Sequence, residues 1–291
     1  MQTINFSFII PHHNSPELLN RCIDSIPQRE DVEIIVVDDN SMDEEKPSIT
    51  RPDVKTIFLD AAQSKGAGRA RNIGMNNATG KWLLFADCDD YYEKNFLQVL
   101  DEYKNSSYDI IYFDAFHGVD LQTGRCSVSP VEKSLERFLE NSTELRNIKR
   151  LKHSSNDPWN KMFLHSYIKR IGARFDEVPA TNDAWFCHYA ATKTNNIHGV
   201  RKKLYYWVIN PNSITTAKRS WAFEKQRAQV GARVHHLIES DGACECLPYP
   251  WKGFKAIFER NDFFFAVRLY LYKLWIDVNP LKVLYFKFRN K

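Results

Sequence analysis

Residues 81–90, Lys-Trp-Leu-Leu-Phe-Ala-Asp-Cys-Asp-Asp, join a predicted buried strand to a run of carboxylates. Asp87, Asp89 and Asp90 repel one another at this spacing unless water or a cation stabilises them. Mg²⁺ and Mn²⁺ favour carboxylate oxygens and are commonly held by one or two carboxylates together with substrate phosphates. The alternative is an acidic start to the following helix, where carboxylates suit the helix dipole. By itself, the stretch leaves both interpretations open.

The segments around this stretch alternate between strand and helix patterns. Short apolar runs predict strands at 6–10, 32–37, 54–59 and 108–113, and spaced apolar residues predict a helix at 16–26. Further helices are predicted at 131–150 and 254–275. Strands separated by helices favour right-handed crossovers and a parallel sheet. Ligands of such sheets bind beyond the carboxyl ends of the strands. We therefore predict an α/β fold with a mostly parallel central sheet flanked by helices.

Two further polar segments are expected near the carboxylate run. Asp38 and Asp39 end one predicted strand, where a carboxylate accepts hydrogen bonds from a base or a ribose, or forms a simple turn. Arg69 and Arg71 lie in the glycine-punctuated segment 66–74, near the start of a helix. Guanidinium groups beside a helix N-terminus suit a diphosphate, although arginines on a surface are more often simply solvated.

The order of these motifs resembles that of the family 2 glycosyltransferases, which have the GT-A fold. The resemblance spans about residues 4–216, and its matching segments are 9–14, 36–41, 68–74, 85–90, 158–163, 182–186, 205–207 and 211–215. It implies a GT-A, Rossmann-like catalytic domain over residues 1–220. The expected parts are a nucleotide-sugar-binding half at 1–115, an acceptor-binding half at 116–220 and a helical C-terminal extension at 221–291.

The resemblance also implies roles for individual residues. Asp183 matches the general base that deprotonates the acceptor hydroxyl. Asp87 and Asp89 match an Asp-x-Asp pair, with Asp87 beside the ribose and Asp89 on the metal at the diphosphate. Asp39 matches the residue that contacts the nucleotide base, most often uracil. The other predicted donor contacts are Pro11, His13, Asn14, Gly68, Arg71, Cys88, Lys218 and Arg219, and the predicted acceptor contacts are Trp159, Lys161, Asn182 and Trp185.

The function predicted from this resemblance is metal-dependent, inverting transfer of a sugar, of the hexosyltransferase type. Mn²⁺ or Mg²⁺ and the arginines would stabilise charge on the leaving nucleoside diphosphate. Asp183 would take the proton of the acceptor hydroxyl as that hydroxyl attacks the anomeric carbon. The expected donor is a UDP-sugar. The expected acceptor is a saccharide or a lipid-linked saccharide in the synthesis of a bacterial surface polysaccharide.

Two positions depart from the family pattern. His12 and His13 stand where the family usually has Thr-Tyr or a similar pair, so an imidazole would replace the ring that lies along the base. Adjacent histidines are otherwise more often packing or surface residues. Asn182 stands where the family usually has a glutamate, which removes one negative charge next to Asp183.

The C-terminal 40 residues are basic and aromatic. Residues 252–291 contain nine Lys or Arg and three acidic residues, a net charge of +6, whereas the whole chain has a net charge of +4. Basic residues interleaved with aromatic ones suit a helix in an anionic membrane interface. The alternatives are a helical lid packed on the catalytic domain and a homodimer interface.

Composition narrows the class of protein. The small net charge does not indicate a nucleic-acid partner. With no signal-peptide pattern, no long apolar run and six scattered cysteines, we expect a cytoplasmic enzyme with reduced thiols. Membrane contact of the C-terminal segment would place it at the inner face of the plasma membrane. The Cys-Glu-Cys segment at 244–246 fits no common zinc site.

Two rival functions remain. A nucleotidyltransferase would carry a glycine-rich, basic loop after the first strand, but this chain has Pro11-His12-His13-Asn14 there. An inactive sugar-nucleotide-binding protein is the other rival, and the carboxylates at 87, 89 and 183 argue against it.

Overall fold

The computed structural model describes residues 3–179, 181–210, 218–248, 254–277, 284–285 and 288. The strands are β1 (Phe6–His12), β2 (Val32–Asp38), β3 (Val54–Phe58), β4 (Trp82–Phe85), β5 (Tyr91–Tyr92), β6 (Ile110–Val119), β7 (Lys161–Leu164) and β8 (Ile197–Val208). The helices are α1 (Pro16–Asp24), α2 (Ala67–Asn77), α3 (Phe96–Tyr103), α4 (Glu132–Glu140), α5 (Leu145–Lys152), α6 (His165–Ile171), α7 (Asn182–Thr192), α8 (Trp221–Ser240), α9 (Phe254–Arg260) and α10 (Phe263–Ile276).

The strands form one sheet in the order β3-β2-β1-β4-β7-β6-β8-β5. β1 is parallel to β2 and β4, and β2 is parallel to β3, as the alternation of strands and helices predicts. β7 lies antiparallel between β4 and β6, and β6 is parallel to β8. Four of the seven pairings in the described part of the chain are parallel, so the sheet is mostly parallel, with antiparallel pairings at β7 and β5.

Apolar side chains cover both faces of the sheet. All seven residues of β1 are buried. Phe8 and Ile10 pack in the layer that contains α1 and α3, whereas Ile9 packs in the opposite layer with α2. This follows from the two-residue repeat of a strand, which sends neighbouring side chains to opposite faces. A Cβ atom at Gly74 would lie 2.4 Å from Ile9 Cγ2, so glycine lets α2 lie close against β1.

Two predicted helices are each divided into two. The helix expected at 131–150 is interrupted after α4, where Asn141 leaves the helical conformation and its side chain accepts hydrogen bonds from Thr143. The helix expected at 254–275 is divided before Asp262, whose carboxylate caps α10 by accepting a hydrogen bond from the Phe265 N–H at 2.6 Å. The short strands β5 and β7 were not predicted.

The C-terminal helices pack on the rest of the chain in two steps. α8 packs on α7 through a small apolar layer that includes Ala184, Val230 and Ile238. α10 packs on α8, where Trp221 contacts Phe265 and Tyr272 edge to face. No helix in the described ranges is both long and apolar enough to span a bilayer. The domain boundary suggested at residue 220 falls directly before α8 and stays a prediction.

Candidate active site

The carboxylate run, residues 87–90, follows the end of β4 and is hydrogen-bonded to β8. The Tyr205 hydroxyl accepts a hydrogen bond from the Asp87 N–H and donates to Asp90 Oδ2, both at 2.9 Å. Asp90 Oδ1 accepts from the Val208 N–H at 2.8 Å. Burial, with the charges of Asp87 and Asp89, raises the pKa of Asp90 well above its usual value. Asp90 is therefore an internal link between strands. The alternative prediction, that the run is the acidic start of a helix, is wrong, because strand β5 follows Asp90 directly and α3 begins only at Phe96.

Asp87 and Asp89 are the carboxylates that suit a metal. Burial and the neighbouring charge of Asp87 raise the pKa of Asp89, and hydrogen bonds from its own backbone and Asn210 oppose this rise. A cation would relieve the crowding of negative charge. Within the described ranges, no group of three or more His, Cys, Asp or Glu residues is arranged to hold an ion. Two carboxylates fit Mg²⁺ or Mn²⁺ when diphosphate oxygens supply further ligands.

A second group of predicted donor residues gathers where β1 and β2 end. Asp39 accepts hydrogen bonds from the backbone N–H groups of Gly66 at 2.8 Å and Lys65 at 3.2 Å, and so holds the loop before α2. His13 donates from Nδ1 to the Asp39 carbonyl oxygen at 3.0 Å. Asn14 has a left-handed backbone with φ of 49°, a conformation that asparagine tolerates better than most residues. Asp39, His13 and Asn14 thus share one corner beyond the strand ends.

His12 is a packing residue. Its Nε2 accepts a hydrogen bond from the Ser15 N–H at 3.1 Å, so the proton lies on Nδ1, which donates to Asp38 at 2.7 Å. Pro11 is buried within β1. Cys88 packs against the apolar layer of α1, and burial together with the neighbouring Asp89 raises the pKa of its thiol.

Arg71 connects the carboxylate run to α7. Its buried guanidinium donates from Nη1 to Asn182 Oδ1 at 2.7 Å and from Nη2 to Asp87 Oδ1. The side chain predicted to face a diphosphate is thus bound to two protein groups. A Cβ atom at Gly68 would lie 2.0 Å from the Asp176 carbonyl oxygen and 2.9 Å from Asn182 Cβ, so glycine permits this approach of α2 to α7.

Asp183 lies in the first turn of α7. Burial and then the charge of Asp157 raise its pKa to about 6, while Arg71 opposes the rise. A base with a pKa near the working pH is suited to proton transfer. Thr181, directly before the helix, has φ of 61°, which is strained for a β-branched residue. Arg227 of α8 donates from Nε to the Thr181 hydroxyl at 3.3 Å and supports this turn.

The predicted acceptor residues differ in exposure. Trp159 is almost completely buried and stacks on Tyr205 with ring centroids 5.0 Å apart. Lys161 is also buried, and its ammonium donates to Asn160 Oδ1 at 2.8 Å and to the carbonyl oxygens of residues 155 and 157. Lys161 therefore shapes the loop before β7 and presents no charge to an acceptor. Trp185 is partly exposed, with the guanidinium of Arg233 4.0 Å from its ring centroid.

Lys218 and Arg219, two of the predicted donor contacts, lie at the edge of a described range. Residues 211–217, which contain the Ser-Ile-Thr motif, lie outside the described residues. Lys218 is exposed, whereas Arg219 is buried and donates to Glu224 Oε1 at 3.0 Å. Sequence reasoning missed Tyr205 and Asp157 as site residues. The Tyr-Tyr-Trp segment at 205–207 was a signal for the first, and the polar-aromatic segment at 157–161 was one for the second.

Comparisons with known proteins find glycosyltransferases among the relatives of this chain. The model of the family described as Glycosyl transferase family 2 matches residues 7–172. The chain is 26% identical to the uncharacterized glycosyltransferase EpsJ of Bacillus subtilis, over 82% of this chain and 72% of EpsJ. It is 25% identical to the poly(ribitol-phosphate) beta-N-acetylglucosaminyltransferase TarS of Staphylococcus aureus, over 70% of this chain and 35% of TarS. It is 36% identical to the amylovoran biosynthesis glycosyltransferase AmsB of Erwinia amylovora, over 34% of this chain.

Solved structures match the fold. Residues 1–349 of S. aureus TarS in complex with UDP-GlcNAc superpose with a TM-score of 0.64 at 22% identity, over 84% of this chain and 70% of that chain. The mannosyltransferase PcManGT of Pyrobaculum calidifontis, in complex with GDP-Man and Mn²⁺, superposes with a TM-score of 0.54 at 14% identity. The superposition covers 99% of this chain and 88% of PcManGT. The predicted GT-A fold class is confirmed.

Proposed function

This chain belongs to glycosyl transferase family 2, and from that premise we propose that it transfers a hexose from a UDP-sugar to a hydroxyl group of a saccharide or lipid-linked saccharide, with inversion. The observation that supports the proposal most is the Arg71 bridge. Hydrogen bonds from one guanidinium to Asp87 and Asn182 join the carboxylate run to the residue before Asp183. Transfer in one step requires the leaving diphosphate and the base to flank one anomeric carbon, and this link favours that arrangement.

Each group of site residues has a separate role in the proposed reaction. Asp183 accepts the proton of the attacking hydroxyl, and its pKa of about 6 leaves it largely ionised at neutral pH. Asp87 and Asp89 would hold Mn²⁺ or Mg²⁺ together with the diphosphate, and the ion, when bound, supplies Lewis-acid stabilisation of the leaving group. His13, Asn14 and Asp39 line the side on which the nucleoside would bind.

The identity of the donor and acceptor rests on relatives. TarS was solved with UDP-GlcNAc, whereas PcManGT was solved with GDP-Man, and UDP is our choice because TarS is the more similar of the two. The names of TarS and AmsB refer to poly(ribitol-phosphate) and to amylovoran biosynthesis. They support a place for this chain in the assembly of a surface polysaccharide.

A membrane location is part of the proposal. The outward face of α10 carries Phe264 and Trp275, with 83% and 81% of their surface exposed, and also Leu271. Leu271 and Trp275 follow Phe264 by seven and eleven positions, which places all three on one face of a helix. The net charge of +6 over residues 252–291 complements anionic lipid. We propose that this face contacts the cytoplasmic surface of an anionic bilayer, where a lipid-linked acceptor would be available.

The first experiment measures donor binding and transfer separately. UDP-sugars with Mn²⁺ should raise the melting temperature of the wild-type protein more than GDP-sugars do. Asp183→Asn should keep this donor-dependent rise and lose transfer by about 100-fold or more, because only the base is removed. Asp89→Asn should lose the part of the rise that depends on Mn²⁺.

Asp24→Asn is the matched control, since Asp24 is exposed at the end of α1. The control should behave as the wild type in both assays. A wild-type protein that binds no nucleotide sugar would refute the proposed function. Transfer by Asp183→Asn at the native rate would refute the assignment of the base.

A further inference from the structure

The loop over residues 153–160 borders the candidate active site. β7 is antiparallel to β4, with Met162 opposite Leu84. The residues before β7 therefore lie beside the C-terminal end of β4, which the carboxylate run follows. On its other side the loop is joined to β6, because the Phe113 N–H donates to the Asn160 carbonyl oxygen at 2.8 Å. The loop thus enters the site between the strands of the donor and acceptor halves.

This loop is held in one shape by buried polar groups. The ammonium of Lys161 binds three of the loop's oxygen atoms. His188 of α7 donates from Nε2 to Asn156 Oδ1 at 2.8 Å. Because α7 also carries Asp183 in its first turn, the loop and the base are attached to the same helix.

Asp157 is the acidic residue of this loop. Its Oδ2 accepts a hydrogen bond from the Ser155 hydroxyl at 2.6 Å, and Ser155 Oγ accepts from the Asp157 N–H at 3.0 Å. Among the residues that the structure describes, no donor is hydrogen-bonded to Asp157 Oδ1. After burial, the charge of Asp157 is the largest cause of the raised pKa of Asp183. The same charge opposes the lowering of the His117 pKa by burial.

Flat rings lie beside this carboxylate. The His117 ring stacks on Trp207 with centroids 4.7 Å apart, and it lies 6.2 Å from the ring of Trp159. His117 and Trp207 are both partly exposed. A carboxylate accepts hydrogen bonds from sugar hydroxyls, and an aromatic face packs against the apolar face of a sugar ring. The chemistry of this corner therefore matches a saccharide.

We propose that Asp157 binds the saccharide acceptor by accepting hydrogen bonds from its hydroxyl groups, and that it orients one of them toward Asp183. This inference rests on the proposed function. It places a second carboxylate near the base although Asn182, the residue before the base, is uncharged. His117 and Trp207 would form the wall against which the acceptor ring packs.

The test compares Asp157→Asn with the wild-type protein. A panel of p-nitrophenyl glycosides serves as acceptors, and the donor is the nucleotide sugar that binds best. We expect the KM for the acceptor to rise about 10-fold or more, because a charged hydrogen-bond acceptor is lost. The KM for the donor should stay unchanged. The acidic limb of kcat/KM should shift to lower pH, because the charge that raises the pKa of Asp183 is removed.

Two further variants separate binding from folding. Ser155→Ala keeps the charge at 157 and removes only the hydroxyl that orients it, so it should raise the KM for the acceptor less and leave the acidic limb in place. Asp24→Asn should match the wild type throughout. An Asp157→Asn protein with wild-type acceptor KM and pH profile would overturn the Asp157 proposal alone. A wild-type protein that transfers to no acceptor in the panel would overturn both this inference and the proposed function.

Discussion

At the scale of single residues, the buried environment of Asp183 sets the pKa of its carboxyl group. Burial disfavours its ionised form, and the nearby charge of Asp157 adds to the effect. The same environment that makes the carboxylate a better base also costs folding free energy once the group is ionised. Asp183 should therefore be a site where function and stability oppose each other.

This cost predicts a stability difference that depends on pH. The pKa of Asp183 is raised from 3.8 to about 6, so the folded state binds more protons than the unfolded state between these values. The penalty is absent below about pH 4, grows as pH rises and is complete above the folded pKa. Asp183→Asn should thus be more stable than the wild type at pH 7.5, by about 3 kcal/mol or less. The gain should shrink toward pH 4.

Urea denaturation at pH 4.5 and pH 7.5 measures this difference. The free energy of unfolding of Asp24→Asn, relative to the wild type, should change little between the two pH values, because that carboxylate is exposed. A gain for Asp183→Asn that is equal at both pH values would contradict the prediction.

The residue types at the site were predictable from the sequence, but their partners were not. Arg71 and Lys161 were assigned to ligands, and both have protein groups as partners. The oxygens that bind Lys161 come from a loop whose shape forms only when β7 pairs with its neighbours. A charged residue in a motif therefore indicates that a site is near. Whether its side chain contacts a substrate or a carbonyl group of the protein depends on the folded structure.

At the scale of elements, Tyr205 holds β8 to the end of β4. Its hydroxyl contacts both Asp87 and Asp90, and it is completely buried. A loss of this hydroxyl leaves a buried carboxylate and a backbone N–H each with one partner fewer. The geometry of the carboxylate run thus depends on a strand more than 100 residues further along the chain.

Tyr205→Phe should lower the free energy of unfolding by about 1–3 kcal/mol and weaken donor binding. The second effect follows because the Asp87 N–H loses its acceptor. Tyr103→Phe is the matched control, since no hydrogen bond of the Tyr103 hydroxyl is present among the described residues, and its effect should stay within about 0.5 kcal/mol. Urea denaturation and donor titration measure the two effects. Equal stability of the two variants would mean that Tyr205 does not anchor the run.

The first four long strands were predictable because their apolar runs are flanked by helical patterns and turns. β7 was not, since α6 follows Lys161–Leu164 directly and no turn separates the two elements. Such a short run becomes a strand through its pairing with β4 and β6, which the local sequence does not encode. The interruption between α4 and α5 has a different origin, because it depends on local hydrogen bonds of Asn141.

At the scale of the whole molecule, the C-terminal helices show internal packing, one of the alternatives that the sequence left open. The inner face of α10 packs Phe265 and Tyr272 against Trp221 of α8. The outer face leaves Phe264 and Trp275 exposed. One side of this helix is therefore packed on α8, and the opposite side is the surface for which we propose membrane contact.

The membrane contact proposed for the outer face of α10 can be tested without changing the residues of its inner face. The double variant Phe264→Glu and Trp275→Glu should lower binding to vesicles that contain phosphatidylglycerol by about 10-fold or more, because apolar burial and charge attraction are both lost. Its melting temperature should stay close to that of the wild type. Cosedimentation, with phosphatidylcholine vesicles for comparison, measures the effect.

The matched control changes two exposed apolar residues elsewhere, Leu121→Glu and Val128→Glu, and should bind vesicles as the wild type does. A wild-type protein that does not cosediment with anionic vesicles would refute the membrane proposal. A wild-type dimer that the α10 variant converts to a monomer would instead assign this face to a second copy of the chain.

The position of β7 in the sheet has a consequence for the order in which the nascent chain can fold. β4 is synthesised about 80 residues before β7, and both sheet neighbours of β6 follow it along the chain. On the ribosome, β3, β2, β1 and β4 can pair early, but one edge of β4 stays open until Leu164 has emerged. An open strand edge is where unwanted association begins. While residues 86–164 are being synthesised, the edge of β4 that later pairs with β7 is therefore open to unwanted association.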